Sequence, residues 1–109
     1  MPSLQELIEL DKKHFIHPTS SIQQQQQFGP KVIIEKGEGI YLTDKNGNVY
    51  IDAMSSLWNV NVGHGREELA QVAADQMKKL AFSSTFSTFS HEPAILLAEK
   101  LASIAPKGL

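Results

Sequence analysis

One run, Met54-Ser55-Ser56-Leu57-Trp58-Asn59-Val60-Asn61-Val62-Gly63-His64-Gly65-Arg66, gathers most of the residues in this chain that could do chemistry. It holds the only tryptophan, in a segment too polar and too punctuated by glycine to be a core strand. A large indole there suggests the wall of a binding pocket; packing beneath a loop is the other reading, because aromatic side chains mostly bury. Gly63-His64-Gly65 opens a helical pattern, so its amides could meet an anion, although a plain loop-to-helix turn explains it as well. Gly37-Glu38-Gly39 lacks the third glycine of a dinucleotide fingerprint and precedes a strand, so it fails as a nucleotide motif. His14 and His17 stand three apart with no third ligand nearby, which argues against a metal site. No Gly-x-Ser-x-Gly elbow exposes a serine nucleophile. Asp44 and Asp52 end predicted strands and read as solvated turn carboxylates. Spacing alone does not make an enzyme of this chain.

The elements that must position these residues follow from periodicity. Ser3-Leu4-Gln5-Glu6 is a capping-box pattern, and Leu4, Leu7, Ile8 and Asp11 share one face of the short helix it starts. The helix fades near His14-Phe15-Ile16-His17, because the residue before Pro18 disfavours the helical region. Pro18 to Gly29 has no useful period, and its five glutamines, Gln23 to Gln27, read as a solvated surface strip. Val32–Lys36, Ile40–Asp44 and Val49–Asp52 read as three strands. Gly37-Glu38-Gly39 forms the first turn and Asn46-Gly47 the second, the latter a strong hairpin signal. Leu69, Val72, Ala73, Gln76, Met77 and Leu80 mark an amphipathic helix from about Arg66 to Leu80. The run Ala81 to Phe89, with its three phenylalanines, fits neither a helix nor a strand. Ser90-His91-Glu92-Pro93 then starts a helix that runs to about Ile104 and ends at Pro106 and Gly108.

Composition bounds the rest. The chain has 109 residues, 41% apolar and 20% charged, ordinary for one domain at most. Its formal charge is −2, and nine lysines and one arginine are scattered, so nucleic acid and anionic membranes are not favoured partners. The absence of cysteine excludes disulfides and cysteine-ligated zinc. With no apolar run long enough to span a membrane and no signal-peptide order at the N-terminus, the expected compartment is the cytoplasm. The fold class is α+β: an N-terminal helix, a three-stranded antiparallel meander and two further helices. That meander is too small to cover both helices, so their partners are expected elsewhere, in a longer protein of which this is the front.

Several short motifs recur in one order: Asp11-x-x-His14 and His17-Pro18; the hairpin Gly37-Glu38-Gly39-Ile40-Tyr41-Leu42-x-Asp44-x-x-Gly47-Asn48; Ile51-Asp52; Met54-Ser55-Ser56-Leu57-Trp58; Asn61-Val62-Gly63-His64-Gly65-Arg66; Gln76-Met77; Thr85-Phe86; and His91-x-Pro93-Ala94. No single element is very specific. Together they resemble the N-terminal part of class III pyridoxal-phosphate aminotransferases, whose parent architecture is the α/β fold type I. The nearest resemblance is to the ω-aminotransferases, where a Leu-Trp pair followed by Asn-Val-Gly is usual.

The resemblance implies transfer of an amino group from an amine or ω-amino acid to a keto acid such as pyruvate, in a protein that is at least a homodimer. It divides the chain into a helix and arm (1–31), the meander (32–52), a pocket loop (53–65) and a helical part leading to the coenzyme domain (66–109). By resemblance, Leu57 and Trp58 line the substrate pocket, and Phe86 matches a pocket phenylalanine that can come from the neighbouring subunit. Ser83 and Thr19 stand where relatives often carry aromatics, so the pocket entrance is altered here. The family's Schiff-base lysine, pyridine-pairing aspartate and phosphate cup lie beyond residue 109. The resemblance therefore assigns no catalytic or cofactor-binding residue to this chain, and the chain alone is expected not to transaminate. Diaminopelargonate aminotransferases of biotin synthesis share His-Pro and Met-Ser-Ser but usually carry Tyr after the proline and Trp-Trp; here the places hold Thr19 and Leu57-Trp58. A non-catalytic binding module derived from such an enzyme is the reading from another functional class.

Overall fold

A computed structural model describes residues 1–108, in two units that divide between Arg66 and Glu67. In the first unit, helix α1 spans Leu4–His14. Its start is the expected capping box: Glu6 N–H donates to Ser3 Oγ, and Ser3 N–H donates to Glu6 Oε2 at 2.6 Å. The Ser3 N–H holds the Glu6 carboxyl below its ordinary range. Leu4, Leu7, Ile8 and Asp11 are the half-buried face that the periodicity marked.

The glutamine run is not a solvated strip. It forms helix α2, Ile22–Phe28, capped by Ser21 and packed against α1. Gln25 is buried, its Nε2 donating to the Phe15 carbonyl and its Oε1 accepting from His17 N–H at 3.0 Å. One side chain thus satisfies two backbone groups of the segment that leaves α1. Gly29 ends α2 at φ +72°, and a Cβ there would lie 3.0 Å from Ile8 Cγ2. The two helices approach closely because that residue has no side chain.

The sheet is a meander ordered β1-β2-β3, with β1 at Ile34–Glu38, β2 at Tyr41–Asp44 and β3 at Val49–Ile51. Glu38 pairs with Tyr41 and Gly37 with Leu42, so the first strand runs through the residues expected to turn. The turn is two residues, Gly39 and Ile40, with Gly39 at φ +56°. A bulge between Ile34 and Lys36 resets the pairing. Tyr41 pairs with Ile51 and Thr43 with Val49 across the second hairpin.

Asp44 is 3% exposed and is no solvated turn carboxylate. Its Oδ1 accepts from the N–H groups of Asn46 and Asn48, and its Oδ2 from Asn48 Nδ2 and Tyr50 Oη, each at 2.9 Å. The turn polar groups close around the charge and give the Asn-Gly hairpin its shape. The Asn48 side chain, helped by Tyr50 and the two amides, holds the Asp44 carboxyl below the ordinary 3.8 against the opposing effect of desolvation. The same contact raises the Tyr50 hydroxyl.

After β3 the chain makes one short turn, α3, at Ser55–Trp58. The second unit contains α4, Glu67–Leu80, and α5, Glu92–Ile104, joined by the irregular phenylalanine run. Acidic residues begin α4 and lysines end it, as the helix dipole favours. His91 caps α5, with Pro93 in its first turn. Among the described residues no apolar side chain is buried: Leu69, Val72 and Met77 of α4 and Ile95, Leu97 and Leu101 of α5 are exposed. The uncovered faces anticipated from the meander's small size are present. Among the described residues, no helix is long and apolar enough to cross a membrane.

Two expectations follow. Because the folded Asp44 binds its proton less readily than an unfolded aspartate, its contribution to stability is complete above pH 4 and fades as pH falls through 3.8 and below. Amide-exchange protection at Asn46 and Asn48 in the intact protein should decline over that range. In D44N it should already be roughly tenfold lower at neutral pH. Second, residues 1–109 produced alone should bind a hydrophobic dye strongly and melt without cooperativity. A dispersed amide NMR spectrum with a sharp melt would contradict this.

Candidate substrate-pocket loop

Asp52 follows β3 directly, and its N–H donates to the Ile40 carbonyl at 2.8 Å, so the last strand delivers its side chain to a fixed point. Sequence reasoning took this residue for a solvated turn carboxylate. Its side chain is 7% exposed. Oδ1 accepts from Ser56 N–H at 3.0 Å, Oδ2 accepts from Ser56 Oγ at 3.0 Å, and His64 Nε2 lies 2.8 Å from Oδ2. The Ser56 amide first, and His64 with it, hold the Asp52 carboxyl below the ordinary range, against desolvation.

Two pairs of glycines make His64 fit. Its backbone forms a two-way bridge with Gly39: Gly39 N–H to His64 O at 3.0 Å, and His64 N–H to Gly39 O at 2.8 Å. A Cβ on Gly37 would lie 2.7 Å from His64 Cγ. On the facing side, a Cβ on Gly63 would lie 3.3 Å from Gly39 O, and one on Gly65 would lie 3.2 Å from Gly37 O. Gly37-x-Gly39 and Gly63-x-Gly65 are therefore mating halves of one close approach. The amides of Gly63 and His64 donate to Val60 O and Gly39 O, so these two are committed to backbone partners rather than aimed at an anion.

The loop between Asp52 and His64 contains the unusual backbone. Ser55, Ser56, Leu57 and Trp58 all have positive φ, at 48°, 46°, 70° and 69°. With ψ of 44° at Ser56 and 54° at Leu57, α3 is one left-handed helical turn. Trp58 N–H donates to Met54 O and Asn59 N–H to Ser55 O, both at 2.9 Å. Left-handed helix costs L-residues about 1–2 kcal/mol each and normally occurs one residue at a time. Such a conformation persists where surrounding contacts over-determine it, and the Asp52 carboxylate supplies them at Ser56.

The turn presents Leu57, 64% exposed, and Trp58, 77% exposed. Within the first unit the indole is not packed beneath its loop. Thr19, also at positive φ, donates from Oγ1 to Pro18 O and opens onto a different hollow, beside His17 and Gln25. Ser83 and Phe86 belong to the second unit. Ser83 Oγ donates to Ser84 O, and Phe86 stands exposed with its N–H on Ser84 Oγ at 3.1 Å. The structure thus brings Leu57 and Trp58 onto one turn and gives Thr19 a separate setting. His17, read only as a weak metal candidate, pairs through Nε2 with Asp11 at 3.0 Å. Among the described residues, no cluster of three or more His, Cys, Asp or Glu could hold a metal ion.

Asp52 and His64 form a part-buried contact that the sequence reading does not mark. Their signal was the repeated Gly-x-Gly spacing, with a strand-ending aspartate twelve positions before the histidine. Asp52 and His64 help line a cleft of about 360 Å³, with Ile40, Ser55 and Val62. Pyridoxal phosphate, the coenzyme implied by the resemblance, needs an amine for its aldehyde and a cradle of free amides or cations for its phosphate. No lysine lines this cleft, its wall carries the Asp52 carboxylate, and two of its amides are spent. These residues do not fit that group.

Comparison with known proteins is consistent along nearly the whole chain. A family model for aminotransferase class-III matches residues 22–108. The chain is similar to putrescine–pyruvate aminotransferase of Pseudomonas aeruginosa, 43% identical over 100 residues, covering 92% of this chain and 22% of that protein. It is similar in structure to a transaminase from the marine bacterium Virgibacillus, at 75% identity and TM-score 0.91, covering 94% of this chain and 23% of the other. It also resembles the W58G variant of a thermostable omega transaminase, engineered for asymmetric synthesis of enantiopure bulky amines, at 41% identity and TM-score 0.87, covering 92% and 22%. The chain spans between a fifth and a quarter of the length of the relatives it matches. The match covers the N-terminal segment of that fold, and the chain belongs to the class-III aminotransferase family.

Proposed function

We propose that the intact protein is an ω-aminotransferase that moves an amino group from an amine or ω-amino acid to a keto acid such as pyruvate. This chain supplies part of its substrate pocket and of its subunit interface. Pyridoxal 5'-phosphate is held by residues outside the chain, in a cytoplasmic homodimer, and residues 1–109 alone are inactive. The observation that carries this reading is the left-handed turn, which holds Leu57 and Trp58 exposed within a chain of this family.

A flat, apolar indole so presented suits the carbon side chain of an amine donor and offers it no hydrogen-bond acceptor. In the engineered omega transaminase, the residue replaced for bulky amines is a tryptophan bearing the same number as Trp58. By the family resemblance Phe86 serves as a pocket aromatic that can come from the neighbouring subunit, and Thr19 and Ser83 stand where relatives often carry larger aromatics. Thr19 and Leu57, where diaminopelargonate aminotransferases usually carry Tyr and Trp, weigh against that sibling.

The test is alanine formation by the full-length protein from pyruvate and a panel of amines. Alanine should form, and W58G should raise kcat/KM for a donor too bulky to lie flat against the indole, relative to a small aliphatic one, by roughly tenfold. Residues 1–109 with added coenzyme should form none. Failure of the full-length protein to make alanine from any donor would overturn the reading.

A further inference from the structure

We propose that Asp52 and His64 are positioning residues for donor specificity: they lock the left-handed turn and so fix the direction in which Trp58 presents its ring. This rests on the aminotransferase reading above. Among the described residues the indole has neither a ring contact nor a hydrogen bond. Within the first unit what holds it is the backbone of α3. That backbone is strained at four consecutive residues, and the side-chain bonds that hold it converge on Asp52. Asp52 spends one oxygen on the Ser56 amide and shares the other between the Ser56 hydroxyl and His64.

His64 in turn is fixed on both sides. The Gly39 bridge pins its backbone, and Gly37 leaves only enough room for its ring. The chain of contacts runs from the first hairpin through His64 and Asp52 to Ser56, two residues before Trp58. A side chain standing free on a strained turn moves when the turn relaxes. Loss of the clamp should reach the donor through the wall alone.

The experiment uses the intact enzyme, with pyruvate as acceptor and two donors, a small aliphatic amine and a 1-arylalkylamine. H64Q and D52N should each raise KM for the aryl donor about fivefold or more, with kcat and the small-donor KM within about twofold of the parent. In a W58G background the same substitutions should change the aryl-donor KM by less than about twofold, because no wall remains to be misplaced. An equal change in both backgrounds, or an equal loss of kcat with both donors, would overturn the proposal. S56G guards against misfolding: glycine accepts the positive φ and keeps the N–H that Asp52 receives, while loosening the turn. It should keep the melting temperature and raise the aryl-donor KM; an unchanged KM also counts against the clamp.

A second readout does not need turnover. The fluorine resonance of 5-fluorotryptophan at position 58, assigned by its loss in W58G, should shift in H64Q and D52N. An unmoved resonance overturns the proposal. If the parent enzyme forms no alanine at all, the aminotransferase reading fails, and the fluorine resonance still decides the clamp.

Discussion

Asp52 receives hydrogen bonds at both carboxylate oxygens from Ser56 and stands beside the imidazole of His64, at the one place where the chain departs furthest from ordinary backbone geometry. The opposition of two energies is the point. Four L-residues in left-handed geometry carry a conformational cost, and a nearly dry carboxylate carries a desolvation cost. Each is offset by the other. The turn places the Ser56 amide and hydroxyl where the carboxylate needs donors, and the carboxylate rewards the turn for that geometry. Neither state would be favourable alone, so each supports the other in this geometry. The glycines of the first hairpin enter as a steric condition: with a methyl group at Gly37 the imidazole could not sit where Asp52 requires it.

The same device recurs at the other strand end. Asp44 gathers four donors from its own hairpin, and Gln25 stitches the exit of α1 to α2. With no buried apolar residue among those described, the first unit owes the local form of its turns to such polar closures. Buried or half-buried polar groups that are fully satisfied specify one geometry, because any alternative leaves a donor or acceptor unpaired. Apolar burial, which supplies most of the stabilisation of a folded domain, must then come from surfaces that meet the exposed faces of α4, α5 and the sheet.

What could be read from the sequence divides along the same line. Faces of α1, α4 and α5 are periodic, and helix periodicity is a local property; their extents were legible to within a residue or two. Asn46-Gly47 announced its hairpin because positive φ at Gly47 is a local demand. Helix α2 was not legible, since seven residues with five glutamines carry no apolar period and the helix is held by a glutamine bonding ten residues away. Gly37-Glu38 looked like a turn because two flanking glycines normally mark one; here they mark a close approach to residues 63–65. The tryptophan loop showed the same limit. Its tryptophan was conspicuous, but nothing local in Ser-Ser-Leu-Trp favours a left-handed turn, and the bonds that impose it come from residues outside those four.

That separation between ring and clamp has a consequence for how such a pocket can change. Asp52 bonds to Ser56 and approaches His64; neither contact involves the side chain of Leu57 or Trp58. The residues that would touch a donor are therefore free to vary in size and chemistry while the turn that presents them is maintained by others. A wall residue can become small without unfolding its loop, since the strain and its compensation lie in the backbone and in three neighbouring polar groups. The converse does not hold. Altering Asp52, Ser56, His64 or the facing glycines disturbs every side chain the turn carries at once, so these positions constrain specificity without themselves selecting a donor.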